Sequence, residues 1–214
     1  MSRQTRSIDG FHVASLRSAM GHLAVATAAC RVVGVTIGHR SAAEALARVE
    51  RMLVGRLSAT RGHDDRPRTD RWTSDVAERL VRYLAGEETS LVDIPIDVSH
   101  LSPFQQRVVA ACRGIPRGRT STYGTLAVAA GAPGAARAVG QVMASNRFPL
   151  IVPCHRVVAA SGGLGGFSAP QGVVLKQRLL AMEGALTGLG GRSVGPNGAK
   201  ARQLPLQRGL AIFA

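Results

Sequence analysis

Cys154, His155 and Arg156 stand side by side between Pro153 and Val157-Val158, directly after the apolar run Leu150-Ile151-Val152. A cysteine attacks as the thiolate, so its surroundings must favour negative charge. An imidazole, a guanidinium or a helix N-terminus would each do so. The apolar run reads as strand, and on an extended strand neighbouring residues face opposite ways. Cys154 and His155 would then pair only if the chain turns, and Pro153 permits such a turn while ending regular pairing. Two readings stand at this point: a reactive nucleophile beside its base, or a buried thiol near a surface imidazole.

The other cysteines do not help to choose. Cys30, Cys112 and Cys154 are too few and too scattered for a disulfide framework, and they form no CxxC or Cys/His ligand set. The expectation is a reducing, cytoplasmic setting with no metal and no cofactor. The chain has 214 residues, 45% of them hydrophobic, enough for one large or two small globular domains. No stretch is long enough to span a bilayer. Ala19 to Cys30 imitates a lipoprotein signal, but His22 interrupts it and the apolar pattern resumes at Val32, so export is not expected.

Charge is more telling in its distribution than in its total of +14. Residues 1–98 hold 14 basic and 12 acidic residues, whereas 99–184 hold nine basic residues and one acid, Glu183. Four more basic residues and no acid follow from Ala185. A base composition that favours Arg over Lys explains the mere two lysines, but not the loss of carboxylates from one segment. Such a field suits a polyanion, with nucleic acid ahead of an anionic membrane.

The elements that must hold the cysteine can be outlined from patterning. Residues 1–18 read as a loose leader, and His22 to Ile37 as a hairpin turning at Ala29-Cys30-Arg31. Ser41-Ala42-Ala43-Glu44 is a capping-box signature, and Ala45, Leu46, Val49, Met52 and Leu53 follow at helical spacing. Arg61 to Arg71 reads as a charged loop, Ser74 to Ala85 as a second helix stopped by Gly86, and Val92 to Val98 as an edge strand. These make a small α/β domain over 1–98 with no visible chemistry. A second domain, 99–184, opens at Ser102-Pro103-Phe104-Gln105 with a cap, a first-turn proline and a Gln to close the box. Its first helix runs to about Arg113 with Phe104, Val108, Ala111 and Cys112 inward, which makes Cys112 a core residue. Short helices over Thr122–Ala130 and Gly134–Asn146, separated by Gly131-Ala132-Pro133, have the outline of a helix-turn-helix. Two small helices packed around a glycine remain the plainer alternative. Residues 185–214, rich in Gly, Pro and Arg without periodicity, read as a flexible basic tail.

A helix-turn-helix closely followed by an activated cysteine resembles the O6-alkylguanine-DNA alkyltransferases, the methylated-DNA–protein-cysteine methyltransferases. The resemblance is carried by Pro103-Phe104-Gln105, Ile115-Pro116-Arg117-Gly118, Thr122-Tyr123-Gly124 and Ala136-Arg137-Ala138-Val139-Gly140. It continues through Asn146, Pro149, the run Pro153 to Val158, Leu179-Leu180 and Glu183-Gly184, covering about residues 90–184 in matching order. It implies an α/β two-domain protein. A ribonuclease-H-like N-terminal domain would precede a mostly helical, winged-helix-like DNA-binding domain.

The resemblance also implies roles. Cys154 would accept an alkyl group from O6 of guanine, irreversibly and once per molecule. His155 would reach the sulfur through a water, with Glu183 orienting the imidazole; the alternative for Glu183 is to offset Lys176 or Arg178 on a helix surface. Tyr123 would donate to the guanine ring and Ser168 would face O6, while the backbone carbonyls of Cys154 and Val157 would read the exocyclic amine. Tyr123 as simple packing stays open. Arg137 would take the place of a flipped-out nucleotide, because O6 is out of reach inside the stack. Ala136, Thr122 and Arg156 would join it at the DNA, with small residues letting the helix enter the minor groove. Asn146 would tie that helix to the active-site loop, or merely end the helix. The implied partner is double-stranded DNA containing O6-alkylguanine, bound by a monomer.

This chain departs from the family pattern at the pocket wall. Phe167 stands where many relatives carry Tyr, and Ser168-Ala169-Pro170-Gln171-Gly172 is longer than the commoner Gly-Gly form. A proline there stiffens the loop. Three rivals are weaker on sequence. A damage binder of this fold would lack the acceptor cysteine, a helix-turn-helix regulator would need a sensor or dimer surface, and a cysteine hydrolase would place its His far along the chain.

Overall fold

The computed structural model describes residues 4–8, 10–54 and 66–186. It opens with strands β1 (Gln4–Ile8), β2 (Phe11–Ser18), β3 (Gly21–Ala28) and β4 (Arg31–His39), which form an antiparallel sheet in sequential order. The expected leader is therefore largely sheet, with β2 an interior strand. His12 and Ser15 are buried on it, so its polar letters hide a strand covered on both faces. The hairpin falls where the sequence places it: Ala29 and Cys30 both take positive φ, as a two-residue turn matching the strand twist requires. The signal-like stretch Ala19–Cys30 is β3 with its flanking turns.

Helices cover both faces of the sheet. Helix α1 (Ala42–Leu53) is capped by Ser41, whose hydroxyl accepts from the N–H of Glu44. The Glu44 carboxylate accepts from the N–H of Arg40, one residue before the cap. The α1 face Ala45, Leu46, Val49 and Leu53 packs on Phe11, Val13, Ala24, Ala26 and Val33. Helix α2 (Arg66–Leu84) covers the opposite face through Val76, Ala77, Leu80 and Leu84. It starts well before Ser74, so the expected loop is already helix from Arg66; residues 61–65 lie outside the described residues. The expected edge strand shrinks to one bridge, Ile96 with Val32. Pro95 has no N–H to pair, and the Arg113 guanidinium takes the carbonyls of Val92 and Ile94.

The second half follows the sequence more closely. Helix α3 (Pro103–Arg113) has the full capping box between Ser102 and Gln105, and Cys112 is fully buried on it. Strand β5 (Ser121–Thr122) leads into α4 (Tyr123–Ala129), and α5 (Ala136–Ala144) follows after a turn with positive φ at Gly131 and Gly134. A 3₁₀ turn (Cys154–Arg156) precedes β6 (Val157–Val158), which pairs with β5 in parallel, and α6 (Gly172–Met182) closes the order. One apolar cluster runs from Ala14, Leu23 and Val35 through Leu80 to Val108, Leu126, Val139 and Leu175, so the two halves share an interior. Among the described residues, no helix is long and apolar enough to cross a membrane. The expected tail, save Ala185 and Leu186, lies outside the described residues.

Candidate active site

The cysteine sits on a turn, and no strand precedes it. Residues 147–152 form a loop instead, with Leu150 at φ 75°, a left-handed conformation that costs an L side chain energy and is held here by packing. Asn146, just past the end of α5, holds this loop. Its Oδ1 accepts from the N–H of Phe148 at 2.9 Å, and its Nδ2 donates to the carbonyl of Val152 at 2.9 Å. The same Nδ2 lies 3.2 Å from Cys154 Sγ. The chain then tightens, with the Cys154 N–H on Val152 O and the Arg156 N–H on Pro153 O. Neighbours on a 3₁₀ turn do not face opposite ways, so the geometric objection to Cys154 and His155 working together disappears.

Behind the thiol lies a charged cluster removed from solvent. Glu183, at the C-terminal end of α6, has a fully buried side chain. His155 Nε2 is 2.7 Å from Glu183 Oε1, and Arg156 Nε donates to Oε2 at 2.8 Å. The Tyr83 hydroxyl of α2 also donates to Glu183, and Arg156 further donates to Tyr83 Oη at 2.8 Å and to Ile115 O at 2.5 Å. Arg156 was expected at the DNA. It is 8% exposed, with its guanidinium spent on buried acceptors. Glu183 does not pair with Lys176 or Arg178 on a helix surface: Arg178 bonds Ala19 O, and Lys176 is itself fully buried. Lys176 Nζ donates to Val157 O at 2.6 Å and to Gly166 O at 3.4 Å. The Cys154 carbonyl meanwhile accepts from the Val157 N–H in the turn. Both carbonyls expected to read a base therefore already have one partner.

These placements set the protonation states. Burial pushes the Glu183 carboxyl up, but hydrogen bonds from His155, Arg156 and Tyr83 hold it well below the usual carboxylate range. Burial lowers the His155 pKa although Glu183 pulls the other way, so the imidazole is neutral near pH 7. With Nε2 as the donor to the carboxylate, Nδ1 keeps its lone pair. It is buried with no hydrogen-bond partner among the described residues. Burial raises the Cys154 thiol, and the Asn146 amide and the Lys176 charge pull it back. Lys176 is itself pushed down to about 8 by burial, against the attraction of Cys154 and Cys112. The set amounts to a nucleophile, a neutral base with an orienting carboxylate, and a cation tuned by burial.

Only some of the expected site residues share a cavity with the cysteine. Cys154, Asn146, Pro149, Phe167 and Ser168 line a space of about 540 Å³. Tyr123 does not line it. It opens α4, half-buried, with its hydroxyl 3.1 Å from where a side chain on Gly165 would begin, and the Gly165 φ of 69° is one that glycine adopts without strain. Thr122 caps the same helix by accepting from the N–H of Thr125. Ala136 is half-buried at the start of α5, and Arg137 beside it is exposed with no partner among the described residues. No group of three or more His, Cys, Asp or Glu suited to a metal occurs among the described residues. Sequence reasoning missed Tyr83 and the burial of Lys176. Tyr83 carried no local signal, being 100 residues from its partner.

A family model described as the DNA-binding domain of 6-O-methylguanine DNA methyltransferase matches residues 103–185. A methylated-DNA–protein-cysteine methyltransferase of Mycolicibacterium paratuberculosis is 49% identical over 106 residues, 50% of this chain and 62% of that protein. That of Mycobacterium bovis is 43% identical over 123 residues, 55% of this chain and 72% of its relative. The crystal structure of Mycobacterium tuberculosis OGT in complex with DNA superposes with a TM-score of 0.59 at 31% identity, covering 80% of this chain and 91% of that one.

Proposed function

This chain belongs to the methylated-DNA–protein-cysteine methyltransferase family, and from that premise we propose that it repairs DNA by direct reversal, moving an alkyl group from O6 of guanine to Cys154. The observation that carries the assignment is the hydrogen-bonded chain Tyr83–Glu183–His155 behind a cysteine that opens onto a cavity. In this reading the sulfur attacks the O6-bound carbon in line, and the carbon–oxygen bond breaks as the carbon–sulfur bond forms. The thiol proton passes through one water to His155 Nδ1, the imidazole nitrogen left with a lone pair. The product is a stable thioether that is not cleaved back to the thiol, so each molecule acts once.

The leaving guanine gathers negative charge, and Tyr123 and Ser168 are proposed to receive it through hydrogen bonds. Arg156 and Tyr83 act on Glu183 as positioning residues. Thr122, Ala136 and Arg137 form the DNA-facing end of the helix-turn-helix, and Val157 presents its carbonyl to the base. We further infer a ribonuclease-H-like N-terminal domain over 1–98, supported by the antiparallel sheet with helices on both faces. A winged-helix-like domain over 99–184 is supported by α3–α5 and the small β5–β6 pair. We further infer that the protein acts as a monomer in a reducing cytoplasm, the compartment that its three free cysteines support.

Incubation with an oligonucleotide containing O6-methylguanine tests the assignment. Peptide mass mapping is expected to show one added methyl group on Cys154, at a stoichiometry of one. Repeated turnover, or tight binding with no mass change, would overturn it. Arg137→Ala is expected to slow repair in a duplex by about tenfold while leaving reaction with free O6-benzylguanine nearly unchanged, because only the duplex pays for unstacking. Equal losses on the two substrates would remove Arg137 from flipping. Duplex affinity is expected to fall with salt at a log–log slope of about 0.9 per phosphate contacted, with little dependence on flanking sequence. A flat salt response would argue against backbone contacts.

A further inference from the structure

The cavity that holds Cys154 has a second wall that methyl transfer has no need of. Beyond the thiol, the space of about 540 Å³ is bounded by His39 of β4, Arg48 and Arg51 of α1, and Arg147 from the loop after α5. Among the described residues no Asp or Glu lines it. Arg48 and Arg51 are three residues apart on one helix, so they project from the same face. Both are exposed, and neither has a partner among the described residues. Arg147 is anchored by its carbonyl, which accepts from the Val35 N–H at 2.7 Å, and among the described residues its guanidinium reaches only Met52 O, at 3.5 Å. His39 is 6% exposed and bonds Thr36 Oγ1 at 2.5 Å. The nearby acid Glu44 faces a neighbouring cleft, where its carboxylate holds the Arg40 N–H. Three arginines thus border the nucleophile's cavity, and among the described residues none of them forms an ion pair with a carboxylate.

We propose that this wall selects O6 substituents that carry a negative charge, carboxyalkyl groups such as carboxymethyl, with Arg48, Arg51 and Arg147 as the recognising residues. The proposal rests on Cys154 being the alkyl acceptor. In-line attack places the sulfur opposite O6, so the other substituents of the attacked carbon splay beside the sulfur, and the space that Cys154 borders is this cavity. For a carboxymethyl group the sulfur–carbon bond forms as the carbon–O6 bond breaks, and the electron pair leaves with the guanine, which takes up a proton from water at N1. The thiol proton goes through water to His155 Nδ1, from which it returns to solvent, and the product is S-carboxymethylcysteine with its carboxylate retained. A thiolate approaching a carbon next to a carboxylate meets like-charge repulsion, and a wall of guanidinium groups offsets it.

The anion the wall holds could come from the substituent or from a DNA phosphate, and free bases separate the two because they carry no phosphate. The full chain is to be reacted with free O6-carboxymethylguanine and with its neutral, similarly sized carboxamidomethyl analogue, reading adduct formation on Cys154. In Arg48→Gln/Arg51→Gln the charged-over-neutral rate ratio is expected to fall about threefold to fivefold, the range for partly exposed ion pairs. Arg51→Glu is expected to lower it further. Both positions are exposed on α1, so these variants retain the core that α1 buries. The O6-methylguanine duplex, run in parallel, separates the two levels of the argument. If methyl transfer to Cys154 proceeds and the ratio is unchanged by the substitutions, the charge-selecting wall is overturned and the assignment stands. If the variants lose duplex affinity without a change in ratio, the arginines bind phosphate and the proposal again fails. No methyl adduct on Cys154 would instead overturn the assignment itself.

Discussion

A chain carrying Glu183→Gln is expected to lose about 3–5 kcal/mol of stability, because removing one partner of a buried pair leaves the other charge uncompensated. That charge is the guanidinium of Arg156, which faces Glu183 through Nε at 2.8 Å and Nη2 at 3.2 Å with almost no access to water. Gln is the same size, but it replaces an acceptor of four hydrogen bonds with a group that also donates. One of its amide hydrogens must then point at His155, Arg156 or Tyr83, each of which is itself a donor to this site. Alkyl transfer is expected to slow by a further factor on the order of 10² to 10⁴, since the imidazole now keeps its proton on Nδ1 and has no lone pair there for the thiol. Denaturant midpoints and single-turnover rates measured on the folded fraction read the two losses separately. A rate that falls only as far as the folded population would make Glu183 structural and leave His155 without an orienting partner.

The same substitution has a pH signature whose sign is fixed. The Glu183 carboxyl is depressed in the folded protein and ordinary in the unfolded chain, where its value is near 4.5. The unfolded state therefore binds more protons as the solution is acidified. The stabilisation is complete above the ordinary carboxylate range and is lost as pH falls towards the folded value. The stability gap between the parent chain and Glu183→Gln is expected to be widest near neutrality and to shrink below about pH 4.5. A gap independent of pH down to acid unfolding would contradict the charged assignment.

How much of this was legible in the chain depends on whether the signal was local. The capping box at Ser102–Gln105, the hairpin turn at Ala29-Cys30 and the core position of Cys112 all follow from residues a few positions apart, and each is found as read. β2 was misread because it is covered on both faces: with His12 and Ser15 buried among Val13, Ala14 and Leu16 it shows no alternation, and its polar letters resemble a leader. The early start of α2 was hidden by its charged first turns, which look like loop until Val76 and Leu80 reveal the period. At the site, the cysteine, its base and the lone acid were visible as residue types. Their electrostatic setting was not. Tyr83 reaches Glu183 only through the packing of α2 on the second half, and Arg156 looked like a DNA contact because nothing local marks a guanidinium as buried.

Lys176 was the least legible of these residues, and replacing it by Met is expected to slow transfer by roughly tenfold to a hundredfold at neutral pH. An opposite charge close to a buried ionisable group moves its pKa by about 1–3 units, and each unit the thiol rises removes about nine-tenths of its thiolate. Met matches the length of the Lys stem and fills the fully buried site, so the fold is expected to survive. The cost of the buried ammonium is released at the same time, partly offset by the unpaired carbonyls of Val157 and Gly166. The pH profile distinguishes an electrostatic role from a packing one. With Lys176 at about 8, the parent rate rises with pH as the thiol ionises, then falls behind that trend above about 8 as the neighbouring charge is lost. In Lys176→Met the rise is expected to move to higher pH and to show no break there. Stability shifts in the opposite sense to an ordinary ion pair. The folded pKa lies below the unfolded 10.5, so the parent is penalised below about 8 and gains stability as pH climbs between the two values, a gain the variant lacks. A variant that keeps the parent's pH profile while losing rate uniformly would show that Lys176 serves the site only by holding the Val157 and Gly166 carbonyls in place.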